Sequence, residues 1–151
     1  MKIVEGAGPP QVLEAEGEQE VRRCWPVFKE LRPHIAGPDE FVARWMRQRS
    51  EGYRIAYIEE AGDVVAAAGF RVMNTMAWGK ILYLDDLVAA SAAHGQGFGT
   101  RLLVWLQQCA RALGCDALHL DTGYHRHKAH KSYLRNGFIL ISHHMAWDAR
   151  S

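Results

Sequence analysis

At 151 residues with 48% hydrophobic content, the chain is long enough for one domain with a real core and too short for two comfortable ones. Its 18 basic and 17 acidic residues leave a formal net charge of +1, so no global field draws in nucleic acid or an anionic membrane, and partners must be recognised locally. Eight histidines add positive charge as pH falls. No uninterrupted apolar window is long enough to span a bilayer, and the opening Met1-Lys2-Ile3-Val4-Glu5-Gly6 lacks the apolar run of a signal peptide, so a soluble cytoplasmic protein is expected. The three cysteines are odd in number, and Cys109 and Cys115 are spaced for neither a bridge nor a zinc knuckle; buried thiols are the expectation. Repeats and low-complexity segments are absent.

Residues 1–10 end in Gly8-Pro9-Pro10 and read as a loose leader to a single domain over 1–151. Gln11 to Ala15 fits a short first strand. Glu18 to Leu31 reads as a helix kinked or divided near Pro26, with Val21, Trp25, Phe28 and Leu31 as its apolar stripe. Gly37-Pro38-Asp39-Glu40 announces a second helix, with Asp39 able to cap it, carrying Phe41, Trp45 and Met46 up to Gly52. From Tyr53 the period changes to two. Tyr53 to Ile58 and Val64 to Met73 read as strands joined by a hairpin turn at Glu60-Ala61-Gly62-Asp63, and Lys80 to Ala89 as another strand.

Next come His94-Gly95-Gln96-Gly97-Phe98-Gly99-Thr100 and a run with Leu103, Leu106, Ala110 and Leu113 at helical spacing, ending at Gly114. Glycines at alternate positions before a helix leave backbone N–H groups free, and a helix N-terminus carries about half a positive charge, which suits a phosphate or pyrophosphate. A P-loop is excluded, since no Lys follows Gly99 in reach, and a dinucleotide fingerprint fits poorly with Thr100 at its third glycine position. A glycine turn that merely starts a helix stays open on these residues alone. Ala117 to Thr122 follows the helix and should lie parallel to the strand before the loop. Lys128 to Arg135 forms a short helix ending at Asn136-Gly137, and Phe138 to Trp147 a last strand. The expected class is a mixed α/β sheet, antiparallel first and crossed over later.

Two motifs resemble the GNAT superfamily of acetyl-coenzyme A dependent N-acetyltransferases. His94-Gly95-Gln96-Gly97-Phe98-Gly99 looks like the family's pyrophosphate loop, with His94 in place of the usual Arg or Gln. Ala129, Tyr133, Gly137 and Phe138 look like its later signature, with Arg126 where many relatives carry Asn. Trp78 to Leu87 is also similar to the equivalent strand of diamine and polyamine acetyltransferases. The resemblance implies a GNAT-type fold in which the fourth and fifth strands are parallel and splay apart. It implies acetyl-CoA as cosubstrate, held by the pyrophosphate loop from His94 to Thr100 and by Leu87, Val88 and Ala89 along the pantetheine arm. Arg126 would contact a cofactor phosphate or remain solvated.

It further implies an amine acceptor, with Asp85 as base, the Leu87 amide at the thioester oxygen and Tyr133 as acid toward the leaving thiolate. Asp85 and Asp86, one residue apart on a strand, should point to opposite faces, so only one would meet the substrate. Read without the resemblance, Asp85 is a solvated or salt-bridged strand-end carboxylate and Tyr133 packs over a helix with its hydroxyl in water. His125, His127, His130, His143 and His144 suggest surface or acceptor-site positions, and no metal is expected. Trp147 on an apolar C-terminal strand would support a homodimer. The competing class is a binding module that keeps the cofactor site for sensing or assembly without turnover.

Overall fold

The sequence pattern that most shapes the fold is the short hairpin between two apolar runs. Ala61 and Gly62 adopt φ of 52° and 86°, the left-handed pair that a two-residue turn of primed type requires, and they join β2 (Arg54–Glu60) to β3 (Asp63–Thr75). The computed structural model describes residues 11–151; the leader expected over 1–10 lies outside them. The chain divides into two compact units, Met1–Leu120 and Asp121–Ser151.

The first unit is a five-stranded sheet in the order β1-β2-β3-β4-β5, completed by β1 (Val12–Ala15), β4 (Gly79–Ala89) and β5 (Ala117–Leu120). The first three pairings are antiparallel and the β4–β5 pairing is parallel. Helices α1 (Glu18–Arg23), α2 (Trp25–Leu31) and α3 (Pro38–Arg49) pack Val21, Phe28, Phe41 and Trp45 with Ile55, Tyr57 and Ala67 of the sheet in one buried cluster. Helix α4 (Phe98–Ala112) buries Leu102, Leu103, Trp105 and Leu106, and Trp105 meets Phe70 of β3 edge-on at 5.9 Å. Cys24 and Cys109 are buried thiols whose pKa burial pushes up to about 12.

The division expected near Pro26 is formed, and one local expectation is corrected. The break between α1 and α2 falls at Cys24, which places Pro26 in the first turn of α2, where its missing N–H costs nothing. Asp39 does not cap α3: Gly37 is the N-cap, Glu40 accepts the Ala36 amide at 2.5 Å, and Asp39 instead pairs with Arg22 at 2.8 Å. A carboxylate three residues into the helix reaches back more readily than one on the second residue.

The second unit contains α5 (His127–Arg135), closed at Gly137 (φ 89°) with the Phe138 amide bonded to the Tyr133 carbonyl at 3.1 Å. The strand expected over 138–147 is not formed. Its apolar residues Ile139, Leu140, Met145 and Trp147 are 77–90% exposed, and an extended run becomes a strand only when a neighbour takes its backbone groups.

Candidate active site

Glycine gives the loop before α4 its shape. Gly95 and Gly97 sit at φ of 83° and 80°, conformations that an L side chain rarely adopts. Gly97 is the N-cap, and the first intrahelical bond runs from the Arg101 amide to its carbonyl at 3.0 Å. The amides of Phe98, Gly99 and Thr100 precede that bond and have no carbonyl one turn back within the helix. A Cβ built on Gly95, Gly97 or Gly99 would meet nothing within 4 Å, so the loop borders open space. Phe98 turns its ring into the core, at 7% exposure, and offers only main chain outward. His94 is tied back, its Nε2 3.1 Å from the Ala89 carbonyl, while Gln96 is exposed with its amide on the Ala93 carbonyl. Glu30 of α2 accepts from both the amide and the hydroxyl of Ser91, anchoring the chain between β4 and the loop.

The strand leading to this loop changes character along its length. From Ile81 to Leu84, β4 is paired on both sides, to β3 and to β5. The β5 ladder ends at the pair Leu84↔Leu120, whereas β3 continues opposite β4 as far as Ala66↔Ala89. Leu87, Val88 and Ala89 therefore have a ladder neighbour on one side only within the sheet, which is the splay expected of this fold.

The change coincides with a bulge. Gly69 pairs with Asp86 and Phe70 with Leu84, leaving Asp85 as the extra residue. The bulge overturns the strict alternation expected for the two carboxylates: both Asp85 and Asp86 line one cavity of about 260 Å³. Its walls come from α2, α3 and the connections that follow them, with Phe28, Phe41 and Trp45 apolar and Arg32, Arg44 and Tyr53 polar.

Each carboxylate has its own partners. Arg71 Nε donates to Asp85 Oδ2 at 3.0 Å, while Asp86 takes Arg32 Nε at 2.8 Å and the Tyr53 hydroxyl at 2.6 Å. Arg32 also donates to the Asp85 carbonyl at 3.0 Å, clamping the bulge. Burial raises the Asp85 carboxyl above its ordinary range, and the Arg71 ion pair opposes that rise without cancelling it. Burial, with Asp86 alongside, holds the Tyr53 phenol well above its usual pKa, so it remains a donor. Gly69 makes room for this: a Cβ there would stand 1.8 Å from the Tyr53 hydroxyl and 2.6 Å from Asp86 Oδ2.

In the second unit Tyr133 is 7% exposed, packed edge-on against Phe138 at 5.7 Å. Burial raises its phenol pKa, and the Arg126 guanidinium beside the hydroxyl acts in the opposite direction. Arg126 thus has a partner in Tyr133. The histidines are dispersed: His130 Nε2 lies 2.8 Å from the Gly123 carbonyl, His143 Nδ1 3.3 Å from the Tyr124 hydroxyl, and His144 Nδ1 3.2 Å from Asp121. Among the described residues no group of three or more His, Cys, Asp or Glu is placed to hold a metal ion.

Sequence reasoning singled out the loop, Asp85 and Tyr133 and missed Arg32, Arg44, Tyr53, Gly69 and Arg71. Those five carry no local motif. The one available signal was the pair Gly69-Phe70 inside a strand pattern, since an isolated strand glycine marks a bulge or a close approach.

Comparison with known proteins matches the acetyltransferase (GNAT) family model over residues 16–138. An aminoalkylphosphonate N-acetyltransferase of Salmonella typhimurium is 36% identical over 55 residues, a match that spans 36% of either chain. The uncharacterised N-acetyltransferase YhdJ of Bacillus subtilis is 24% identical over 127 residues, covering 83% of this chain and 89% of that one. Among solved structures, an aminoglycoside N-acetyltransferase, AAC(6')-Iy, in complex with CoA superposes with a TM-score of 0.77 at 13% identity, covering 98% of this chain and all of the other, a likeness of fold.

Proposed function

Because the chain belongs to the acetyltransferase (GNAT) family, we propose that it transfers an acetyl group from acetyl-CoA to the primary amine of a small molecule or peptide by direct attack, with 1–151 acting as one acetyltransferase domain. The observation that carries this reading is the bulge, which turns two carboxylates into one cavity at the point where β4 loses its second neighbour.

The residues fit the cosubstrate. Free amides at the start of α4 and three glycines bordering open space suit a pyrophosphate, with His94, Gln96 and Thr100 at its rim. Leu87, Val88 and Ala89 suit the amide groups of the pantetheine arm, which would add to β4 as a strand does. Acetyl-CoA supplies the acetyl group in activated form, as a thioester. The Leu87 amide would stabilise charge developing on the thioester oxygen, and one such donor is worth about 2.7–4 kcal/mol in other enzymes. In this reading Arg126 holds the Tyr133 hydroxyl or reaches a cofactor phosphate, and its place beside Tyr133 favours the first.

An alkylammonium has a pKa of about 10.4 and must lose a proton before its nitrogen can attack. Asp85 takes that proton, and its raised pKa narrows the gap between base and ammonium. The C–N bond forms, the nitrogen gives up its second proton to solvent, the C–S bond breaks, and the Tyr133 hydroxyl delivers a proton to the departing thiolate and regains one from solvent. Burial keeps that hydroxyl protonated at neutral pH. Pairing of two copies through the exposed Ile139, Leu140 and Trp147 belongs to the same reading, and light scattering across a wide concentration range tests it. No helix among the described residues is long and apolar enough to cross a membrane, in keeping with a soluble, cytoplasmic enzyme.

The test is thiol release from acetyl-CoA against a panel of amines, followed as a function of pH in Asp85→Asn and Asp86→Asn. Asp85→Asn should lose most activity near neutral pH and regain it as free amine accumulates at alkaline pH. A pH-rescued defect in Asp86→Asn alone would move the base to Asp86. Cofactor binding without thiol release from any amine would replace the enzyme reading with a binding module.

A further inference from the structure

Acetyl transfer uses the negative groups of the cavity and leaves its positive ones unexplained. Arg32 is committed to the bulge, by Asp86 on Nε and by the Asp85 carbonyl on Nη2. Arg44 is not. Its Nη2 reaches Glu40 one turn back on the same helix at 3.4 Å, longer than a charge-assisted bond of good geometry, and its Nε is shut off from solvent with no hydrogen-bond partner. Arg44 nonetheless lines the cavity, its side chain 40% exposed and its terminal nitrogens held by that long contact alone, so the guanidinium is placed to take an anion brought into the cavity. Gln48, one turn further along α3, lines the same cavity and offers a second donor, and His34 lines it from the α2–α3 connection.

The surroundings narrow the choice. Phe28, Ile35, Phe41 and Trp45 give the cavity apolar walls, and its volume of about 260 Å³ lies below the range usual for drug-sized ligands. Two carboxylates and two guanidiniums share that small space. A polycation would bring a second ammonium towards Arg32 and Arg44, so the positive groups act against such acceptors as well as for others. The likeness of residues 78–87 to polyamine enzymes covers β4 and does not include Arg44.

We infer that the acceptor is a small amine that also carries an anionic group, a carboxylate or a phosphonate, with its ammonium at Asp85 and Asp86 and its anion on Arg44. The inference rests on the acetyl-transfer reading for its chemistry but not for its binding site.

Thiol release would be measured with four amines of matched chain length: propylamine, trimethylenediamine, β-alanine and aminopropylphosphonate. The protein, Arg44→Gln and Arg44→Lys would be compared after melting curves show them folded; if Arg44→Gln does not fold, Arg44→Lys serves alone. The two anionic amines should exceed the other two in kcat/KM by about tenfold or more, mainly through KM. Arg44→Gln should erase the preference and Arg44→Lys should retain part of it. The ranking of β-alanine against the phosphonate identifies the anion. Preference for propylamine or the diamine, or a preference that survives Arg44→Gln, overturns the inference and leaves acetyl transfer standing. If no amine releases thiol, melting shifts in the presence of CoA decide. A shift confined to the anionic pair and lost in Arg44→Gln supports the anion site while removing the transfer reading; equal or absent shifts overturn both.

Discussion

The glycine loop and the carboxylate cavity work by opposite means. The loop is made of main chain, with Phe98 turned into the core and nothing beyond the glycines where a Cβ would go. The cavity is made of side chains, drawn from α2, α3 and the connections that follow them to a bulge in β4 and locked there by Arg32, Tyr53 and Arg71. A site of the first kind fails when atoms are added. A site of the second kind fails when atoms are removed or displaced, and the two failures can be separated in the laboratory.

The largest expected effect comes from removing one side-chain oxygen. Tyr133→Phe preserves the ring packed on Phe138, so the melting shift given by acetyl-CoA should survive while kcat falls by about 10² to 10⁴. Full activity in that variant would refute the acid assignment. At the loop, Gly97→Val adds atoms where φ is 80°, which should lower Tm through backbone strain of about 1–3 kcal/mol and abolish the acetyl-CoA shift as well. Gly52→Ala, at φ 91° before β2, is the matched control: similar strain, cofactor shift retained. If both variants keep the shift, the loop is not the cradle.

Gly69→Ala carries the comparison into the cavity. Its new Cβ would collide with the Tyr53 hydroxyl, which is itself buried, and overpacking of this kind costs about 1–3 kcal/mol. Calorimetry should show the lowered Tm, with the acetyl-CoA shift intact because the loop is untouched. The smallest effect is electrostatic. In Arg71→Gln the Asp85 carboxyl loses the cation that opposes its upward shift, so its pKa rises further and the acidic limb of kcat/KM should move to higher pH. Stability follows the same sign: a carboxyl whose folded pKa lies above its unfolded value favours the fold at low pH and ceases to as pH rises through the folded value. The Tm deficit of Arg71→Gln should therefore be larger at neutral pH than in acid. A limb that moves to lower pH, or not at all, would mean that Asp85 is not the base.

The same contrast explains what the chain disclosed before its structure was known. The loop was legible because its information is local: alternate glycines, then helical spacing, with the left-handed angles at Gly95 and Gly97 following from residue type. The hairpin at Ala61-Gly62 was legible for that reason too. The bulge was not, since it depends on pairing with Gly69, a strand away, and strict alternation then misassigned the faces of Asp85 and Asp86. Arg32 and Arg44 reach the cavity only through the packing of α2 and α3, which no spacing in the sequence encodes. The strand read into 138–147 erred in the other direction, because alternating apolar residues state a preference for pairing but name no partner.

The half-paired end of β4 carries a hazard as well as a function. A strand with one side of its ladder open is a template on which any extended chain can grow, and natural sheets blunt such edges with bulges and charges. Asp85 and Asp86 supply both devices at the point where β5 stops. Replacing these two residues with apolar ones would take away chemistry and also the barrier to edge-to-edge assembly. The loss would appear as aggregation during expression, before any assay of transfer could be made.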